Sequence, residues 1–144
     1  MKYLYFAYGM NTNLDSMASR CPEAECLGPA ELVDYELEFA HHCNVKFKLG
    51  ARVPGLLWTI TERDLDSLDI TEGYPYYYTR LGAVVEHAGE SKLAIVYTMT
   101  GETVPAPPTE YYWNLVQTGY QQNAISQREL DRALNNCYEI SIAF

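Results

Sequence analysis

Two short stretches of the sequence carry side chains suited to acid–base chemistry. The first is Leu65-Asp66-Ser67-Leu68-Asp69-Ile70-Thr71-Glu72-Gly73-Tyr74-Pro75, where a carboxylate stands at the end of a helical pattern, directly before a Gly and a Pro. The helix dipole disfavours negative charge at that end and raises a carboxylate's pKa. With Tyr74 and Tyr76 to Tyr78 alongside to exclude water, Glu72 has the character of a general base. The alternative is a solvated helix-end Glu that serves solubility alone. The second stretch is Tyr8-Gly9-Met10-Asn11-Thr12-Asn13, which interrupts a strand-forming run from Tyr3 to Ala7 with Gly and Asn, the residues most tolerant of positive φ. Leu14, Met17 and Ala18 then recur at helical spacing, and Pro22 ends the pattern. A strand that turns sharply into a helix leaves backbone N–H groups without internal partners, a concavity suited to a carboxylate or an oxyanion. An ordinary strand-to-helix turn is the competing reading.

The elements around these stretches are those of one domain, residues 1–144. After the first helix, Leu27 to Phe39 reads as one or two short strands, since Val33, Tyr35, Leu37 and Phe39 alternate with polar residues. Asn44 to Pro54 is expected to be irregular, punctuated by Gly50 and Pro54, and Gly55 to Ile60 is a compact apolar strand. Thr61 is the expected N-cap of a helix that stops by Gly73. Tyr78 to Glu86 and Leu93 to Met99 form two strands joined by a hairpin at His87 to Ser91. Pro105, Pro107 and Pro108 lead into a helix from about Thr109 to Gln121. Ser126-Gln127-Arg128-Glu129 has the form of a capping box for a last helix, and Cys137 to Phe144 is expected as a final strand or a docked extension. The fold class expected is α+β: a small, mixed, mostly antiparallel β-barrel-like sheet with flanking helices.

Composition narrows the function classes. A net charge of −9 argues against a nucleic-acid partner, which requires a basic face. No apolar run is long enough to span a bilayer and the N-terminus lacks a secretory layout, so no membrane partner and a cytoplasmic location are expected. Among the four cysteines there is no CxxC pair, and Cys21, Cys26 and the His41-His42-Cys43 cluster match no recurrent zinc spacing, so no metal is expected. Thirteen tyrosines are the compositional oddity, their flat apolar bodies and polar tips being useful in an interface or around a polar ligand. The surface fits a monomer or a homodimer.

Several motifs, taken together and in order, resemble the gamma-glutamylcyclotransferase-like family. They are Tyr5-Phe6-Ala7-Tyr8-Gly9-x-Asn11, Arg20-Cys21-Pro22, Gly55-Leu56-Leu57-Trp58, Leu68-Asp69-x-x-Glu72-Gly73, Tyr78-x-Arg80 and Pro107-Pro108-x-x-Tyr111. The resemblance implies an α+β barrel-like fold and a cyclotransferase that converts a γ-glutamyl-amine or γ-glutamyl amino acid to 5-oxoproline, releasing the amine, with no cofactor. It implies that Glu72 is the general acid/base, that Tyr8, Gly9, Met10 and Asn11 hold the glutamyl head group, and that Tyr78, Tyr97 and Tyr111 line the pocket. The sequence departs from the family at Met10, where Ser is common, and in the lack of a Gly-Leu-Pro stretch near Gln121 to Ser126. Two other readings stand beside this one: a related enzyme acting on a γ-glutamylated biosynthetic intermediate, and a non-enzymatic module that binds a small metabolite.

Overall fold

The structure, a computed structural model, describes residues 1–143, with side chains described up to residue 139. Five strands close into a barrel in the order β1 (Lys2–Ala7), β3 (His42–Thr61), β2 (Glu25–Ala40), β4 (Tyr78–His87) and β5 (Glu90–Met99). Every pairing is antiparallel except the closing one, where β1 meets β5 in parallel at Tyr5 and Ile95. Closure removes the sheet edges that would otherwise invite pairing with another chain. Phe6, Leu32, Leu37, Phe39, Leu56, Leu57 and Ile60 are fully buried. Leu56 and Leu57 are both buried although they point to opposite faces, as expected of a strand covered on both sides.

The region expected to be irregular, Asn44 to Pro54, instead belongs to the long strand β3, and Leu27 to Phe39, expected as one or two short strands, lies within the single long strand β2 that pairs with it. Punctuation at Gly50 is accommodated as a bulge: the register slips between Val33 and Tyr35, and Asp34 Oδ1 accepts the Gly50 N–H at 2.8 Å. The turn between the two strands is a single residue, His41, at φ 66.

Helix α1 (Leu14–Arg20) is capped by Asn13, whose Oδ1 accepts from Ser16 N, while its Nδ2 donates to Leu115 O. Helix α2 (Glu62–Glu72) starts with a reciprocal box between Thr61 and Asp64 and ends at Gly73, which takes φ 67. Helix α3 (Glu110–Gln122) is capped by Thr109. The tail expected as a strand or docked extension is helical where described: α4 (Arg128–Ala143) continues into it, because Leu130, Ala133 and Cys137 keep one buried stripe with no breaker between them, and Phe144 lies outside the described residues. The box expected at its start is only half made. Ser126 Oγ accepts from Arg128 N, but the Glu129 carboxylate turns to Arg132 at 3.0 Å. Among the described residues no helix is long and apolar enough to cross a membrane.

Candidate active site

The end of β1 passes into the site through Gly9. Positive φ was the expected reason for a glycine there, but its φ is −122. The reason is space: a Cβ would lie 3.0 Å from Cys43 Cβ and 3.1 Å from the Tyr112 hydroxyl, closer than ordinary van der Waals contact. Met10–Thr12 then forms one 3₁₀ turn, fixed by Thr12 N and Thr12 Oγ1, which both donate to Gly9 O. Among the described residues, the amides of Gly9, Met10 and Asn11 donate to no protein acceptor. Asn11 is buried: its Nδ2 donates to the Tyr5 hydroxyl at 2.9 Å and its Oδ1 accepts from Arg20 Nη1. Arg20 Nη2 lies 2.9 Å from the Met10 sulfur.

Glu72 reaches the same cavity from the opposite side. The αL conformation of Gly73 lets Gly73 N bond to Ile70 O and Tyr74 N to Asp69 O, which ends α2 sharply. One turn earlier, Asp69 is gripped by Arg80 at 2.9 and 3.2 Å and by the Tyr97 hydroxyl at 2.6 Å. The last turn of α2 is therefore pinned to β4 and β5. The Glu72 carboxylate is half-buried and has no hydrogen-bond donor among the described residues. Burial is the main cause that raises its pKa to about 7, against the pull of the Arg20 guanidinium. Desolvation thus does what the sequence reading assigned first to the helix dipole.

The cavity between these two halves has a volume of about 190 Å³. Tyr8, Gly9, Met10, Asn11, Glu72, Tyr78 and Tyr97 all line it. Tyr111 does not. It is 73 % exposed, and Tyr112 takes the place expected for it, its hydroxyl accepting from Cys43 N at 3.0 Å. The two are adjacent on α3 and so lie about 100° apart around the helix; the proline lead-in does not fix which of them turns inward. Of the tyrosines expected to shield Glu72, Tyr77 and Tyr78 line the cavity, whereas Tyr76 is exposed and Tyr74 lies under Arg80, 4.5 Å from its guanidinium carbon. The sequence reading also missed Tyr5, Arg20, His42 and Cys43 as lining residues. Arg20 had a signal, since it is a rare cation in an acidic chain next to a motif already singled out. His42 had none, because only the tight turn at His41 carries it to the mouth.

Residues 5–115 match the family described as gamma-glutamyl cyclotransferase, AIG2-like. The chain belongs to that family. A gamma-glutamylcyclotransferase of Homo sapiens is 27 % identical over 137 residues, covering 85 % of this chain and 72 % of its own length. One of Bos taurus is 27 % identical over 155 residues, covering 95 % and 81 %. A solved structure described as a gamma-glutamyl cyclotransferase superposes with a TM-score of 0.82 at 24 % identity, over 92 % of this chain and 86 % of that one, which establishes the family's fold here. The segment matching the family contains both halves of the cavity, the loop at Tyr8 to Asn11 and the carboxylate at Glu72.

Proposed function

We propose that this protein is a cyclotransferase that closes the glutamyl unit of a γ-glutamyl compound into 5-oxoproline and expels the attached amine, with Glu72 as general acid/base. The observation that carries the reading is the cavity itself: one desolvated carboxylate faces a loop with three free amides and a guanidinium across a space the size of a small metabolite.

The substrate's nucleophile is its own α-amine. With an ordinary pKa near 8, that amine is mostly protonated at neutral pH and must lose a proton before it attacks. A carboxylate at about 7 is well matched to take it. The amine nitrogen then bonds to the γ-carbonyl carbon, the carbonyl electrons move to oxygen, and a tetrahedral intermediate forms. When the oxygen electrons return, the bond to the departing nitrogen breaks, Glu72 gives its proton to that nitrogen, and the ring nitrogen's second proton passes to the released amine or to water, leaving a neutral lactam and Glu72 ionised again. The amides of residues 9–11 and Arg20 supply positive potential for the α-carboxylate or the oxyanion. Nucleophile and electrophile share one chain, so the protein's part is to hold that chain in the ring-closing conformer; well-oriented intramolecular groups reach effective concentrations on the order of 10⁵ M. The route calls for no cofactor, because nucleophile and electrophile belong to one molecule. A module built only to bind the anionic glutamyl unit would gain nothing from a second carboxylate at position 72.

The test is 5-oxoproline release from a panel of γ-glutamyl amines and amino acids, repeated with Glu72→Gln. Turnover lost in a variant that still binds substrate supports the assignment. Binding by the native protein without any turnover would favour the binding-module reading.

A further inference from the structure

Arg20 and Arg80 stand near the two halves of the site and are held in different ways. Arg80 grips Asp69 through two hydrogen bonds of an ion pair, so its charge is met where it stands. Arg20, the last residue of α1, is half-buried and forms no ion pair among the described residues. Its Nη1 donates to Asn11 Oδ1 and its Nη2 lies 2.9 Å from the Met10 sulfur, both neutral partners. Neutral acceptors fix a guanidinium without cancelling its field, whereas a carboxylate partner leaves little to act at a distance.

The same residue sits where the head-group loop meets α2. Arg20 O accepts from Ser67 Oγ of α2 at 2.7 Å, and the next side chain, Cys21, places its Sγ 3.6 Å from Asp64 O. Asn11 is anchored in turn on the Tyr5 hydroxyl. The guanidinium therefore enters the cavity at a set place relative to both the loop and the helix that carries Glu72.

No other charge competes with it there. Tyr5 and Tyr8 of β1 and His42 and Cys43 of β3 face the cavity that Glu72 lines. So do Tyr77 and Tyr78 at the start of β4, Tyr97 of β5 and Tyr112 of α3. Burial, the leading cause at each, pushes the phenols up, the Cys43 thiol up to about 12 and His42 down, so all are uncharged at neutral pH. On α2 itself, Asp69 is taken by Arg80. Arg20 and Glu72 are thus the two charged side chains of the lining, and Arg20 is the cause that opposes burial at Glu72.

From these neutral anchors and this uncancelled charge, we infer that Arg20 is a positioning residue that acts through Glu72: its field keeps that carboxylate in the ionised, proton-accepting form near neutral pH, while its side chain holds the head-group loop. The kinetic consequence rests on the cyclotransferase reading, whereas the charge coupling does not.

Three substitutions separate charge from shape. Arg20→Met keeps an unbranched side chain and removes the charge, and Arg20→Lys keeps the charge without the fork. Asn11→Asp leaves Arg20 in place but sets a carboxylate against it. In each background, thermal unfolding of the protein with Glu72 and with Glu72→Gln is followed from pH 4.5 to 9. The pH at which the Gln form stops gaining stability marks where Glu72 is largely ionised in the folded protein. That point is expected about half a pH unit or more higher in Arg20→Met and Asn11→Asp, and close to native in Arg20→Lys. The rising limb of kcat/KM for 5-oxoproline release is expected to move with it. Either neutralising variant carries the test where the other fails to fold. A folded neutralising variant whose levelling-off point stays native overturns the inference and leaves the cyclotransferase reading standing, since a merely structural Arg20 lowers stability without moving the titration. An equal shift in Arg20→Lys overturns it as well. A shifted stability titration in a protein that releases no 5-oxoproline upholds the coupling and removes the cyclotransferase reading.

Discussion

Replacing Glu72 by Gln gives a test that needs no substrate. Burial lifts the carboxylate from its ordinary 4.5 to about 7 in the folded protein. The folded state therefore holds this proton more tightly than the unfolded chain does. Its contribution to stability is fully present below pH 4.5 and is lost as pH rises through 7. At 1.36 kcal/mol per pH unit, the charged form costs the native state roughly 3 kcal/mol above pH 7, an upper value because the site is partly open to water. Gln has nearly the same shape and never ionises. The variant should match the native protein near pH 4.5 and gain on it steadily to pH 8, by about 2–3 kcal/mol. At roughly 4 °C per kcal/mol for a chain of this size, the melting temperatures should diverge by about ten degrees. Thermal unfolding of both proteins from pH 4.5 to 8.5 measures this directly, and taking the difference cancels every other titrating group. A difference that stays flat from pH 5 to 8 would refute the claim that Glu72 is desolvated, and with it the claim that it is poised as a base.

The same pKa shift sets the pH profile of turnover. Turnover needs Glu72 ionised and the substrate's ammonium still protonated, so kcat/KM should rise with pH through about 7 and fall again as the substrate amine titrates at about 8 or above; a rising limb centred near 4.5 would contradict the assignment. Asp69→Asn removes the charge that holds Arg80 and Tyr97 on the last turn of α2, and kcat is expected to fall about tenfold or more with a smaller change in KM, read by steady-state kinetics. In Gly9→Ala the new methyl meets Cys43 and the Tyr112 hydroxyl, so a loss of about 1–3 kcal/mol in chemical denaturation is expected. Met10→Ser removes the sulfur beside Arg20 and should shift substrate preference while leaving turnover in place, as measured over the γ-glutamyl panel.

What could be read from the sequence followed from local rules. Thr61 as N-cap and the stop at Gly73 bracketed α2, and so put Glu72 at a helix end before any fold was in view; the structure adds the reciprocal bond from Asp64. The Ala88-Gly89 turn has positive φ at both residues, and Gly89 marks that local demand in the sequence. Failures occurred where long-range contacts decide. Gly50 and Pro54 look like breaks in isolation, yet fourteen registered pairs with β2 carry the strand past them. Tyr111 and Tyr112 are equivalent to any periodicity argument near a helix start. Only the packing of α3 over Gly9 and Cys43 chooses between them.

The tyrosines show how the fold serves the site. The Tyr8 hydroxyl donates to Tyr97 O at 2.6 Å, and the Tyr97 hydroxyl donates to Asp69 Oδ1 at 2.6 Å. Tyr78 donates to Cys43 O at 2.6 Å, and Tyr120 to Tyr8 O at 2.7 Å. Burial, the leading cause in each case, raises the pKa of all four phenols, which keeps them neutral and donating. These hydroxyls are thus spent on the backbone and on Asp69, leaving the rings of Tyr8, Tyr78 and Tyr97 to shape the cavity walls. Tyr97 has a further consequence. Its backbone carbonyl anchors the residue that begins the amide loop, and its hydroxyl anchors the helical turn that carries Glu72. The two halves of the site are joined through one residue of β5, so their separation is set by the barrel rather than by a flexible loop. For a reaction whose nucleophile and electrophile already share a molecule, a fixed distance between the proton acceptor and the head-group cradle is the main service a protein can supply.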